Sequence, residues 1–458
     1  MKGMKLNIVA ESRLGAVDML LLVIFFAGIY LGVMIQITAK IPFPAAPAGV
    51  AGLFLLWRRR DNIVPKHLAG LLGVVVLYLA ASLFATDIGN LPKRFTGLVQ
   101  LTYSLVIGYA MFLTLLQAGR QQLARLFLGF SLFILIGSLL ESYAGLNVVS
   151  DAVRNKIYDS GVYDSDLRDQ ILYGKVRPKL FTSEPSAVTF GYTLFTFAWF
   201  MVTQHRAKLM LFLALLAAGI FAMPGPTLLL SLLLLPPYYF FVLPQTPPIG
   251  RFGSGYRMAI IIFGSILLVV FAVVGATVYA ERLGQIMNGN DPSFFYRVIG
   301  PGLVGIEVML RYPWAGAGLT GEASITDLVM NVFVQSSHFS AGWRISKISE
   351  VLTNYFWLHW IYLGLVWGCI TLVGLTIWLR MLGVPAIMFC WITWAVFGQA
   401  SGAYVAPKTW VVLLLAAALT MLHQRVAVPG TITMRPAPGA ALRIRRPYLR
   451  RPDFAPQA

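Results

Sequence analysis

The stretch RPKLFTSEPSA, residues 177–187, places two cations, Arg177 and Lys179, and one carboxylate, Glu184, at the mouth of an apolar run. A carboxylate in a polar cavity can take a proton from a sugar hydroxyl or orient an arginine. The same residues also read as a helix start: Ser183 or Thr182 as cap, Pro185 in the first turn, and Glu184 near the positive end of the dipole. On that reading Arg177 is an interfacial anchor. A second set of charges lies in DPSFFYRVIGPGLVGIEVMLRYPWAGAGLTGE, where Arg297, Glu307 and Arg311 fall on an amphipathic helix expected over 293–311. Guanidinium groups bind diphosphate oxygens bidentately and offset their charge as a leaving group departs. At about 100° per residue Arg297 and Arg311 come within about 40° of each other and can share a face, whereas Glu307 falls elsewhere. The alternative is a helix lying on anionic lipid, with Arg311 closing its C-terminus.

A third stretch, SSHFSAGWRISKISEVLTNYFWLHWIYLGLVWG, puts His338 and Arg344 in a polar loop and Asn354 and His359 near the start of the next apolar helix. Imidazole titrates nearest to neutral pH, so His338 is a candidate general base, or else a solvated loop residue. His359, inside FWLHWIY, is expected to snorkel among interfacial aromatics. The glycine-rich PWAGAGLTGE is a turn without a phosphate-loop fingerprint.

The elements that must position these groups are membrane helices. Of 458 residues 58% are hydrophobic and only 12% charged, which excludes one ordinary soluble core. Apolar runs of roughly 17–25 residues, enough to cross a hydrocarbon core about 30 Å thick, recur about twelve times. They lie near 15–35, 41–57, 67–85, 95–117, 125–145, 187–203, 209–224, 227–243, 258–280, 351–379, 382–400 and 408–423. The seventh and eighth share the break MPGPT and can also be one re-entrant pair. The expected fold class is all-α and polytopic.

Short inner loops retain Lys and Arg. With the amino terminus inside, 21 basic residues fall in inner segments and four (Lys40, Lys93, Arg94, Lys408) in short outer loops. Eleven more lie in two long outer segments, 146–186 and 281–350, matched there by twelve acids. Both termini are therefore expected in the cytoplasm. The net charge of +18 is mostly topogenic and calls for no nucleic acid. Residues 1–423 read as an integral membrane catalytic domain, and 424–458 as a basic, Pro-rich tail against anionic headgroups. The first run reads as a signal anchor rather than a cleaved signal peptide. Cys369 and Cys390 lie in apolar runs and read as packing residues. No His/Cys cluster offers an outer metal site, and neither a metal nor a cofactor is expected.

The order of these stretches resembles the O-antigen ligase and polysaccharide polymerase family of bacterial membrane glycosyltransferases, the Wzy/WaaL type. RPKLFTSEPSAV is similar to its arginine, aromatic and Glu-Pro-Ser element entering a helix. SFFYRVIGPGLVGIEVMLRYPWAGAGL resembles its arginine-bearing helix ending in a Pro-aromatic-Gly-x-Gly turn, and TNYFWLHWIYLGLVWG its asparagine and Gly-Leu-x-Gly helix. The resemblance covers roughly 170–380. It implies a GT-C-like fold in the bacterial inner membrane, without a metal, acting on undecaprenyl-diphosphate-linked glycans at the periplasmic face. It also implies Arg177 and Arg297 on the donor diphosphate and Glu184 on the acceptor hydroxyl. Arg311, Arg344, His338, Lys179 and Asn354 are further candidates on the same chemistry. The chain departs from the pattern twice. Thr353 stands where ligases place a histidine, and GPT at 225–227 replaces a Ser-Arg pair. The first departure favours a polymerase unless His338 folds back to substitute, with a ligase transferring the glycan to lipid A core or protein as the alternative. A lipid-linked-oligosaccharide flippase is a rival from another class, but only Asp18 and Glu141 fall within apolar runs, both near their ends. A chain-length regulator and a flippase of the same pathway are the expected partners.

Overall fold

The computed structural model describes residues 13–38, 41–85, 87–158, 163, 166–243, 294–337 and 351–424, with 262, 284, 288, 289, 291 and 348 as isolated positions. Helix makes up 78% of the structure. The ninth expected span, 258–280, lies outside the described residues apart from 262, as do the basic tail from 425, His338 and Arg344. Mainly apolar runs, with their charged residues near the ends, give α1 (Ala16–Leu31), α2 (Ala46–Arg58), α3 (Pro65–Phe84), α4 (Leu91–Gln117) and α5 (Arg120–Tyr143). The polar stretch after them forms two short helices, α6 (Leu146–Ile157) and α7 (Asp166–Tyr173). Then come α8 (Pro185–Val202), α9 (Lys208–Ala222) and the irregular α10 (Pro226–Val242). The described chain resumes with a π-turn, Phe295–Ile299, that leads into α11 (Gly300–Arg311), followed by α12 (Thr326–Val334). The last three are α13 (Tyr355–Met381), α14 (Ile387–Gly398) and α15 (Pro407–Gln424).

Five of these, α3, α4, α5, α8 and α13, are long and apolar enough to cross a membrane, and α1, α2, α9, α10 and α14 are shorter apolar helices. The chain is thus a mostly helical membrane protein. The expected second span begins instead as a hairpin. Ile35–Thr38 pairs antiparallel with Ile41–Phe43, because the prolines in IPFPAAP defer helix formation to Ala46. Cys390 is buried, whereas Cys369 is exposed on α13 and so packs against nothing inside.

Two ends of the bundle are set by polar contacts. At one, Asp18 at the start of α1 takes Arg58 and Arg59 from the end of α2 at 2.5 Å each. There too Arg120 Nε donates to the Val202 carbonyl at 3.3 Å, and Lys208 Nζ to the Tyr238 hydroxyl at 2.6 Å. His423, at the end of α15, lies 3.4 Å from the Met201 carbonyl. The Leu14 amide just before α1 donates to Gln122 Oε1 in the first turn of α5 at 3.0 Å, so the start of α1 and the end of α15 share one end. At the other end Lys175 Nζ caps the Phe221 carbonyl, and a Cβ on Gly225 would lie 3.1 Å from Thr189 in the first turn of α8. Since α9 starts beside Tyr238 and the MPGPT turn reaches the first turn of α8, α9 and α10 run the length of α8 rather than turning back half-way.

Helix α13 is broken at Gly364 (φ 67°, ψ −170°). A break at that depth orphans backbone groups, and a second strand of chain supplies their partners. The Val366 and Trp367 amides donate to the carbonyls of Pro313 and Trp314, and the carbonyls of Ile361 and Tyr362 accept from the amides of Ala317 and Gly318. The glycines of PWAGAG permit this, since a Cβ on Gly316 would lie 2.2 Å from the Ile361 oxygen. The bend is sharp. His359 Nε2 touches the Gly368 carbonyl at 3.1 Å, although nine residues of straight helix span about 13 Å.

Candidate functional site

The turn before α8 carries Leu180 at φ 30° and Phe181 at φ 62°, both in the left-handed region that non-glycine residues avoid. Such residues cost roughly 1–3 kcal/mol each and persist only where surrounding contacts over-determine them. Those contacts are present. Glu141, at the end of α5, accepts the Lys179 amide at 3.0 Å and the Leu180 amide at 2.6 Å. Arg154, 1% exposed, donates to the carbonyls of Thr182 at 2.6 Å and Ser183 at 3.0 Å. Ser150 Oγ accepts the Phe181 amide at 3.0 Å, and Tyr30 donates to the Leu180 carbonyl at 3.0 Å. Tyr158 lies 2.6 Å from the Leu31 carbonyl and 3.1 Å from that of Phe181. Burial pushes the Tyr158 phenol up to about 12, so it remains an O–H donor across the physiological range.

What this scaffold presents is Glu184. It is the N-cap residue of α8 by position (φ −151°, ψ 154°), yet its side chain makes no cap bond. The carboxylate instead accepts from the Ser186 hydroxyl and faces Arg297, whose Nη2 is 4.0 Å from Oε2. Both side chains keep access to solvent, at 45% for Glu184 and 36% for Arg297.

Arg297 sits in the π-turn before α11, and its backbone is held by Asn354. The Asn354 side chain is fully buried and all its hydrogen-bonding capacity is committed. Oδ1 accepts the amides of Phe356 and Trp357, capping α13, while Nδ2 donates to the Arg297 carbonyl at 2.9 Å and Gln399 Oε1 at 2.8 Å. Asn354 is therefore a positioning residue and not the substrate ligand expected of it. Lys408, in the first turn of α15, lies within electrostatic reach of both Glu184 and Arg297. Its ammonium rests 3.8 Å above the Phe190 ring of α8. One carboxylate and two cations from three distant stretches thus converge at one end of the bundle.

Several expected members are engaged elsewhere. Arg177 binds Asp169 at 2.8 Å and lies over the rings of Tyr163 and Tyr173, at 5.7 and 4.8 Å. Burial, then its bond to Asp169, raises the Tyr163 phenol above its ordinary range. Lys179 is 5% exposed and paired with Asp166 at 3.0 Å. The acids that neutralise both cations come from the same polar segment, so neither is presented to a diphosphate. Arg311 lies over its neighbour Tyr312 at 5.7 Å. Fourteen helical residues separate it from Arg297 by about 20 Å along the axis, too far for one diphosphate whatever face each occupies. His359 does not snorkel. It is 1% exposed, with Nδ1 2.8 Å from the Tyr404 hydroxyl. Because the Gly368 carbonyl can only accept, Nε2 carries the proton, Nδ1 accepts from Tyr404, and Tyr404 in turn accepts from Tyr78 at 2.6 Å.

Sequence reasoning missed Lys408, Gln399 and Arg154 as members or supports. Lys408 carried a signal, since a cation in the first turn of an apolar helix opposes the macrodipole and needs a reason to be there. Gln399 and Arg154 carried none, because what they hold at the site is a distant side-chain amide in one case and distant backbone carbonyls in the other.

No family model matches this sequence, and no curated protein matches it at a significant level.

Proposed function

We propose that the chain is a membrane glycosyltransferase of the polysaccharide polymerase type, acting on the outer face of the bacterial inner membrane. It moves a growing glycan from undecaprenyl diphosphate to the end of a new lipid-linked repeat unit. The observation that carries this reading is the approach of Arg297 to Glu184, 4.0 Å apart where the strained turn enters α8, with the Lys408 ammonium over Phe190 of that same helix. The Glu184 carboxylate takes the proton of the acceptor hydroxyl while that oxygen attacks the anomeric carbon. The bond from the anomeric carbon to phosphate oxygen breaks, and the electron pair leaves on the diphosphate, whose charge Arg297 and Lys408 offset. Arg177 and Lys179 take no part in this scheme, because their own carboxylates occupy them. Ligation of the finished glycan to lipid A core or protein uses the same bond changes and differs only in acceptor.

A deletion strain complemented with Glu184→Gln, Arg297→Ala, Lys408→Met or Arg177→Ala, scored for lipid-linked glycans, tests the reading. Loss of the base is expected to cost about 10²–10⁴ in rate, and loss of a charge-stabilising donor about 10²–10³. Arg177→Ala is expected to retain turnover. Single repeat units on the carrier support polymerisation, and intact long chains left on it point to ligation. Repeat units held on the cytoplasmic leaflet would make the protein a flippase, and full activity in all of the first three variants would remove the assigned site.

A further inference from the structure

Helix α11 has three faces. Val304, Gly305 and Val308 are buried, and Trp357 of α13 closes over Gly302 and Gly305, where added Cβ atoms would meet it at 3.2 and 3.0 Å. On the opposite side Ile299, Leu303, Ile306 and Leu310 fall within about 60° of one another at 100° per residue. All four are exposed, Leu310 by 74%. Glu307 and Arg311, also exposed, flank that stripe on one side only. A soluble protein would not leave such a stripe to water.

The stripe does not end with the helix. It continues into Trp314, 72% exposed, whose carbonyl takes the Trp367 amide, and Trp367 stacks on Phe84 at 5.7 Å. Phe84 closes α3, a helix of membrane-crossing length whose Leu72, Val76 and Leu83 are likewise exposed. The α11 stripe is thus continuous with the flank of a membrane-length helix, and the junction is a tryptophan–phenylalanine rim of the sort enriched at lipid–water interfaces.

We infer that α11 is an interfacial helix seated in one lipid leaflet, with its apolar stripe among the acyl chains and Glu307 and Arg311 at headgroup level. The occupant is lipid rather than a protein partner. The surface joins that of α3 through aromatic side chains, with no charged residue between, and its charges lie on one side in the pattern of a helix in a membrane plane. The consequence concerns depth. Asn354 holds the Arg297 carbonyl at one end of α11, and the Pro313 and Trp314 carbonyls are bound to α13 at the other. Seating α11 in lipid therefore fixes the height of Arg297 above the hydrocarbon. This inference does not depend on the chemistry proposed above.

The test is site-directed spin labelling of the full-length protein in phosphatidylcholine–phosphatidylglycerol nanodiscs. In a Cys369→Ser background, Leu303→Cys, Ile306→Cys, Leu310→Cys, Glu307→Cys and Arg311→Cys each carry one nitroxide. Collision rates with dissolved oxygen and with a water-soluble nickel chelate are then compared. Oxygen-to-nickel ratios several-fold higher at 303, 306 and 310 than at 307 and 311 are expected. Equal, nickel-dominated ratios at all five would place the stripe in water, and low collision with both reagents at 303, 306 and 310 would place it under protein. Either result overturns the inference. Glycan transfer is not read, so failure here leaves the polymerase reading untouched.

Discussion

Asn354 shows how one buried amide organises a site it does not touch. It makes four hydrogen bonds, two to the start of α13 and one each to Arg297 and Gln399. Asn354→Ala leaves a buried carbonyl and two helix-start amides without partners, each worth about 1–3 kcal/mol. Asn354→Asp keeps the cap but cannot donate, so thermal melts in detergent are expected to order wild type above Asp above Ala. Should Ala melt with wild type, the proposed brace on Arg297 is wrong. Of the candidate site, Glu184 and Arg297 stand out in the sequence because a carboxylate before Pro-Ser at a helix start and an arginine opening an amphipathic helix are costly beside lipid. Arg177 and Lys179 misled for a physical reason. Spacing shows that charges are near one another in sequence, but not that Asp169 and Asp166 fold back to cancel them. Arg311 misled because angular position around a helix was weighed without its 1.5 Å rise per residue.

At the scale of elements, the decisive feature is the break in α13 and the strand that heals it. Hydropathy read 351–379 as one span, since Gly364 is as compatible with a continuous apolar run as with a left-handed residue. Nothing local states that Pro313–Gly318 supplies the missing hydrogen bonds. Gly364→Ala would put a Cβ 2.7 Å from the Tyr312 carbonyl at φ 67° and force that strand away. We expect a loss of about 1–3 kcal/mol from backbone strain alone, more once the interstrand bonds lengthen. Gly73→Ala in α3, where an added Cβ meets nothing within 4 Å, is the matched control. There the lower chain entropy of alanine is worth about 0.4–1 kcal/mol in favour of folding. Parallel thermal unfolding of the two variants should move in opposite directions, and a Gly364→Ala melt matching that of Gly73→Ala would refute the account of the kink. The pairing of 35–38 with 41–43, by contrast, is signalled by the prolines of IPFPAAP, but the apolar run on either side dominates a hydropathy window.

For the whole molecule, sidedness is what links the site to a lipid-borne substrate. Every contact traced along the chain assigns helix ends consistently. Glu184, Arg297, Lys408 and Asn354 lie at one end, and Asp18, Arg58, Arg59, Arg120 and Lys208 at the other, where the first described helix begins and the last one ends. Apolar run length made the helical class legible, and the loop charges made this two-ended arrangement legible. The number of crossings was less so, because short helices such as α2 and α14 bury themselves against longer neighbours and fall below membrane length. Which end faces out rests on the charge rule, since arginines clustered beside a helix resist translocation. That argument predicts a labelling pattern in intact cells and spheroplasts. In the Cys369→Ser background, a cysteine introduced by Asp327→Cys, exposed near the start of α12 at the site end, should react with a membrane-impermeant maleimide from outside. One introduced by Asp61→Cys, in the RRRDN turn at the opposite end, should react only after the membrane is opened. The reverse pattern would turn the site toward the cytoplasm, where nucleotide-activated sugars rather than exported lipid-linked repeats would be its donors, and the polymerase reading would fall with it.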